Sequence, residues 1–346
     1  MRQHTNAFDL IRLAAAGMVL WWHQHALMGI SDEGASAYGI SLGRLGVFIF
    51  FVVSGYLNTL SAIRRHSWRS FLLSRGLRIY PALIVCVAFT VLLGACVAPD
   101  LGSYFDQELL AFIGKNITLF TGVKAGLSNA VFVGNAIPDA LNGSLWTLPY
   151  EVKMYVLLAA GFVIFRYNVL VALSVATSII FVVGFSELGT IWLQFATLFV
   201  VGAFMALVQS RTNLGAASFA VLVLSLFFAL MGRELIVTYL LLSVGVIVLG
   251  RVRLPYWLRP PVDISYAVYL YAFPVQQLSA RLTENFWIGL AFSISVTFLL
   301  ALCSALFVER PVQKYSKGSR LGAGSRAAEA ADGLASDAAI SKLTSA

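Results

Sequence analysis

Ten runs of about 20 mostly apolar residues follow one another along the chain, near 9–29, 42–61, 79–98, 149–165, 169–186, 188–208, 215–231, 235–250, 264–281 and 287–308. In hydrocarbon only helices and closed barrels satisfy their own backbone polar groups, and unbroken apolar runs of this length, rather than short alternating ones, select helices. The expected fold class is therefore all-α, a polytopic membrane protein of about ten transmembrane helices. Composition agrees: 59% of residues are hydrophobic, 12% are charged and mean hydropathy is +0.84, whereas a soluble domain is about 25% charged.

Charge orients the chain. A cytoplasmic N-terminus puts Arg64, Arg65, Arg69, Arg75 and Arg78 inside, together with Arg166, Arg211, the Arg251/Arg253/Arg259 loop and the basic tail. Asp32, Glu33, Asp100, Asp106, Glu108, Glu187 and Glu284 then fall outside, and the even span count returns the C-terminus to the cytoplasm. The net charge of +8 is spread over short inside loops rather than one basic face, which argues against a nucleic-acid partner. Cys86, Cys96 and Cys303 lie in or beside apolar runs without metal-like spacing and are expected to be packing residues. No cleavable signal peptide is expected, because the first apolar run leads straight into a multi-span chain. The stretch Glu108–Thr121 is apolar but too short to span, and is expected as a re-entrant or interfacial helix on the outer side. Residues 1–315 form the transmembrane domain, while 316–346 turn to Ser, Gly, Ala and mixed charge, a composition expected to give a disordered cytoplasmic tail. Chemistry must then sit within the bundle.

Three polar clusters stand out there. Arg12 and His23 are eleven residues apart, about 20° after whole turns, so they share a face of the first helix some 16 Å apart along its axis. His25, about 200° from His23, points elsewhere. Alternatively, Arg12 snorkels to the interface or is neutralised by Asp9, and His23 is a hydrogen-bonded packing residue. In "SRGLRIYP" (74–81), Arg75 and Arg78 lie within about 60° of one another, where two guanidinium forks suit phosphate oxygens or simply fix topology. In "GSLWTLPYEVKMY" (143–155), Pro149 suits a first helical turn and Glu151 follows it. Glu151 could orient a histidine on a neighbouring span, pair with Lys153, or favour the positive end of its own helix, with Arg44 as a further candidate partner. Two function classes fit such a polar route: an enzyme using a cytoplasmic anionic donor on an acceptor reached from the other side, or a transporter using the Arg12/His23 face as a proton or anion relay. A non-catalytic scaffold is a third, and would tolerate loss of His23.

Taken together, these motifs resemble the acyltransferase-3 family of integral membrane proteins. "FDLIRLAAAGMVLWWH" resembles its arginine, ten residues, histidine signature, with Arg12 and His23 in place. "GVFIFFVVSGYL" is similar to its FFxxSG element through Phe50, Phe51, Ser54 and Gly55; "RGLRIYP" to its R-x-x-R element; and "SLWTLPYEVKMY" to its WSLxxExxFY element, with Glu151 at the acidic position. "ISYAVYLYAFPVQ" and "VERP" match elements near the end, so the resemblance runs in order from Phe8 to Pro311. Two positions depart: Ala272 stands where the late YLxHxP element has histidine, and Phe48 where many members are polar.

The resemblance implies transfer of an acyl group, typically acetyl from acetyl-CoA, to a hydroxyl of a cell-surface or secreted carbohydrate such as O-antigen, exopolysaccharide or glycolipid, in a bacterial inner membrane. It implies Arg12, Arg75 and Arg78 as donor-phosphate ligands. His23 is implied as general base or acyl carrier, with Glu151 or another group orienting it. No metal is required, since no His/Cys/Asp grouping has ligand spacing.

Overall fold

The computed structural model describes residues 6–31, 36–37, 40–65, 67–128, 131–165, 168–186 and 190–314. Twelve α-helices occur among them. Ten coincide with the ten apolar runs: α1 (Phe8–Leu27), α2 (Leu42–Arg65), α3 (Trp68–Val97), α6 (Leu148–Ile164), α7 (Val169–Phe185), α8 (Ile191–Arg211), α9 (Leu214–Leu230), α10 (Glu234–Gly250), α11 (Ser265–Leu282) and α12 (Phe286–Ser304). Two shorter helices, α4 (Leu101–Tyr104) and α5 (Gln107–Thr118), lie between α3 and α6. By length and composition, α2, α3, the segment Gly143–Ile164, α8 and the segment Phe286–Lys314 can each cross a membrane, and α7, α9 and α10 are shorter apolar helices of 17 residues. The protein is an all-α polytopic membrane protein. The expected tail, 316–346, lies outside the described residues.

Which helix faces lipid follows from burial. Helices α7, α9, α10 and α12 expose large apolar side chains such as Val182, Leu230, Leu249 and Leu299. Helix α11 is buried at every position from Ser265 to Gln277, as suits a central helix. It packs against α1, α3 and α12. Its polar residues are therefore paired with protein: Gln276 Nε2 donates to the Leu20 carbonyl at 2.7 Å and to Gln24 Oε1 at 3.0 Å. Pro274 lacks the N–H that would bond the Leu270 carbonyl. That carbonyl is taken instead by Asn142 Nδ2 at 3.0 Å and by the Cys86 thiol at 3.3 Å. Cys86 is buried, as expected of a packing residue, while Cys96 and Cys303 are exposed.

Helices α2 and α8 make the closest crossing. A Cβ on Gly55 would run into the Phe199 carbonyl, and one on Gly202 into the Val52 carbonyl. Small residues at such a crossing let the backbones approach, which drives helix association where lipid removes the hydrophobic force. Phe51 and Phe195 stack beside it at 4.3 Å between ring centres.

One expectation shifts and one holds. Helix α3 begins at Trp68, eleven residues before the apolar run, because Ser67 Oγ caps the Ser70 N–H at 3.3 Å and no proline follows until Pro81, through which the helix continues. Arg75 and Arg78 are therefore well inside the helix rather than on its entry turn. The short apolar stretch expected between the third and fourth spans forms α5, capped by Asp106 on the Leu109 N–H at 2.9 Å, with Leu109 and Phe112 buried and Leu110 exposed. Glu108, in its first turn, accepts from the Ser128 N–H at 2.8 Å and the Ser128 hydroxyl at 2.9 Å and pairs with Lys124 at 3.1 Å. These contacts, the Ser128 N–H first, pull the Glu108 carboxyl down to about 2.

Candidate active site

Helices α1, α2, α3, α6 and α11 enclose a cavity of about 120 Å³ whose walls carry Arg12, Arg75, Arg78, Glu151 and Tyr155. Arg12 Nη1 and Arg78 Nη2 both donate to Asp263 Oδ2, at 2.6 and 2.7 Å. The other carboxylate oxygen accepts from the Ser265 N–H at 3.1 Å and the Ser265 hydroxyl at 2.6 Å, fixing Asp263 at the start of α11. Burial by itself would raise the Asp263 carboxyl, but Arg12 and then Arg78 outweigh it and hold it well below the usual carboxylate range.

Arg75 is held differently. Its Nη1 donates to Asn58 Oδ1 at 2.8 Å, and Asn58 Nδ2 donates to the Ser54 carbonyl at 2.8 Å and Ser54 Oγ at 2.9 Å, which sets the amide's direction. The Ser54 hydroxyl donates to Glu151 Oε1 at 3.3 Å, and the Tyr155 hydroxyl donates to the same oxygen. A chain of polar contacts thus runs from Arg75 through Asn58 and Ser54 to Glu151.

A second cavity, about 310 Å³, lies among α1, α2, α8 and α11 and is lined by Trp22, His23, Arg44, Trp146 and Phe195. Val47 and Tyr269 line both cavities, so the two meet at these side chains. Tyr269 is held there because its hydroxyl donates to the Ser144 carbonyl at 2.6 Å and lies 2.6 Å from Thr147 Oγ1. Both partners lie on the 3-10 turn Gly143–Thr147, which Asn142 Oδ1 caps through the Ser144 N–H at 3.1 Å. His23 is 8% exposed and its ring edge meets Phe273 at 5.1 Å between centres. Buried His23 Nδ1 and Trp22 Nε1 have no hydrogen-bond partner among the described residues. Leaving such groups unpaired costs about 1–3 kcal/mol each, a cost that a ligand supplying the partners would relieve.

The three arginines of the sequence reading therefore come together, and Arg12 and His23 face adjoining cavities from one helix. The pairing of Glu151 with His23 does not form: Glu151 bonds Ser54 and Tyr155 and lines the arginine cavity, while His23 lines the other. The reason is the 3-10 turn Gly143–Thr147, which carries the chain inward so that α6 starts among buried residues, Thr147, Leu148 and Pro149, rather than at the rim. Lys153, the other expected partner, reaches over the Tyr150 ring. Arg44 lines the His23 cavity. His25 bonds the Trp21 carbonyl at 3.0 Å and packs on Phe286, away from both cavities. Ala272 packs with Leu20 and Leu290, and Phe48 with Phe195 and Tyr239, so both are apolar filling.

Sequence reasoning missed Asp263, Asn58 and Tyr269. Asp263 had a usable signal: it is the sole acidic residue between Glu234 and Glu284, at the head of a helix after a loop rich in arginine. Asn58 carried a weaker one, a polar amide one turn beyond Ser54 in an apolar run.

Chemically, the first cavity offers guanidinium donors that fit the phosphate oxygens of an anionic donor, and the second offers an imidazole in an aromatic chamber. An O-acetyl transferase of Shigella phage Sf6 is 30% identical over 323 residues, covering 88% of this chain and 95% of that protein. Nodulation protein 10 of Rhizobium leguminosarum bv. viciae is 34% identical over 165 residues, covering 45% of this chain and 43% of that protein. No solved structure matches. The sequence pattern of the acyltransferase domain family, acyltransferase-3, matches residues 5–309, and the chain belongs to that family of membrane acyltransferases.

Proposed function

We propose that the protein is an O-acetyltransferase of the bacterial inner membrane that moves an acetyl group from acetyl-CoA to a hydroxyl of a cell-surface or secreted carbohydrate. The observation that carries this reading is the meeting of an arginine-walled cavity and a histidine-walled cavity at Val47 and Tyr269. The Shigella phage relative is named an O-acetyl transferase, which supports the acetyl group and the oxygen acceptor.

In this reading the ten long helices cross the membrane with both termini in the cytoplasm, and the arginine cavity opens to that side. Acetyl-CoA, when bound, supplies an acetyl group already activated as a thioester. Arg12, Arg75 and Arg78 hold its phosphate oxygens, each fork giving paired N–H donors. Glu151, Ser54 and Tyr155 line the same cavity, where both hydroxyls donate to Glu151 Oε1. Tyr269 and Val47 form the neck through which the acyl end approaches the second cavity. There His23 takes the proton of the acceptor hydroxyl as its oxygen bonds the acetyl carbon, and gives it to the coenzyme A sulfur that departs as the thioester C–S bond breaks; a placed base contributes about 10²–10⁴ in rate to such a step. Trp22 and Trp146 offer flat apolar faces to a sugar ring.

The test is incubation of membranes carrying the protein with radiolabelled acetyl-CoA and the surface glycan fraction. Label in carbohydrate, released by mild base as an ester would be, is the expected result. A wild-type protein at normal membrane level that transfers no label overturns the reading and returns transport to the front.

A further inference from the structure

Asp263 does not line the arginine cavity, yet two of the three guanidiniums that do are fastened to it. One oxygen, Oδ2, receives Arg12 from α1 and Arg78 from α3, while Oδ1 is fixed by the backbone and hydroxyl of Ser265 on α11. Three helices are thus tied at one carboxylate, and each arginine uses one nitrogen on it, leaving the rest of its fork for another partner. A carboxylate that merely occupied the place of an incoming anion would stand in the cavity; this one stands behind its wall.

We infer that Asp263 is a positioning residue for the acyl donor: it aims Arg12 and Arg78 at one phosphate-bearing ligand and holds them at a fixed separation despite their like charge. The inference rests on the proposed function and adds to it a residue that touches neither substrate. Without the carboxylate, two mutually repelling guanidiniums share one wall with nothing between them, and long arginine side chains lose their single geometry. The cavity would still be positive, but its donors would no longer be preorganised, and affinity gained from preorganisation would be lost. Glu309, buried in the π-turn Ala305–Glu309 and within electrostatic reach of Arg78 and Asp263, does not replace it, since no ion pair joins Glu309 to either arginine among the described residues.

The experiment compares wild type, Asp263→Asn and Asp263→Glu in acetyl transfer from membranes, with coenzyme A binding to the detergent-solubilised protein as a readout independent of turnover. Expected is a donor KM and a coenzyme A Kd raised about tenfold or more in Asp263→Asn, with acceptor KM and kcat changed by less than about threefold, since the acceptor cavity is untouched. Asp263→Glu, which keeps the charge and moves it by one methylene, falls between the two. If Asp263→Asn does not accumulate, Asp263→Glu alone decides. Unchanged donor KM and Kd, with activity falling only in proportion to folded protein, reduces Asp263 to a structural residue and overturns the inference. A lowered donor KM overturns it too, by showing that Asp263 competes with the donor. Failure of the wild type both to transfer acetyl and to bind coenzyme A removes the proposed function itself, and the inference with it.

Discussion

Arg75 differs from its two neighbours in kind of partner: Arg12 and Arg78 sit on a carboxylate, whereas Arg75 bonds the neutral amide of Asn58. A guanidinium answered by an amide keeps more of its charge available, so Arg75 is the one most ready to bind an anion. Arg75→Lys keeps the charge and loses the fork. It should raise the donor KM about tenfold, equivalent to about 1.4 kcal/mol, with a smaller change in kcat. Steady-state kinetics against acetyl-CoA checks this, and an unchanged KM would take Arg75 out of the donor site. At this scale the sequence showed Arg12, Arg75, Arg78 and His23 because their spacings are local and helical geometry converts them directly into faces. It hid Asp263, whose partner Arg12 is 251 residues away, since no local pattern announces a pairing made only by the folded bundle. The Glu151–His23 pairing misled for a related reason: the sequence places Glu151 near the start of a helix but says little about how deep in the bundle that helix starts.

Among elements, the α2–α8 crossing tolerates little change, because at Gly55 and Gly202 the obstacle to a Cβ is backbone rather than a movable side chain. Gly202→Ala should cost about 1–3 kcal/mol, the usual range for overpacking, and lower the membrane level and thermal stability of the protein. Gly245→Ala in α10 is the matched control, since a Cβ there meets nothing within 4 Å. Thermal unfolding of the two variants in detergent measures the difference; equal stabilities would mean that the helices can slide apart at no cost. Helix number and order were legible because each apolar run must be long enough to span and each must end in polar residues. The glycine of the FFxxSG element was legible only as a motif, and its packing role needed the neighbour, α8. Likewise Pro274 could be seen in α11, but not that Asn142 and Cys86 answer the carbonyl it leaves.

For the molecule as a whole, the site is a junction of helices far apart in sequence, and its charges decide how the assembly responds to pH. The folded Asp263 carboxyl lies below its ordinary value, so its contribution to stability is present above the ordinary carboxylate range and is lost as pH falls through the folded value. The stability gap between wild type and Asp263→Asn should stay constant from pH 8 to about 5 and narrow only below about 4. Its size should be roughly 2–3 kcal/mol, less than for a fully buried pair because about a fifth of each side chain remains exposed. A gap that instead grows as pH falls from 7 to 5 would mean that burial outweighs the two arginines and the folded carboxyl lies above its ordinary value. The central claim, however, joins the two cavities into one reaction path ending at His23. It is tested most directly by acetyl transfer from labelled acetyl-CoA into glycan by wild type and His23→Ala at matched membrane levels. Loss of the base should lower transfer at least about a hundredfold while coenzyme A binding persists. Equal transfer by the two proteins would contradict the path and remove His23 from the chemistry.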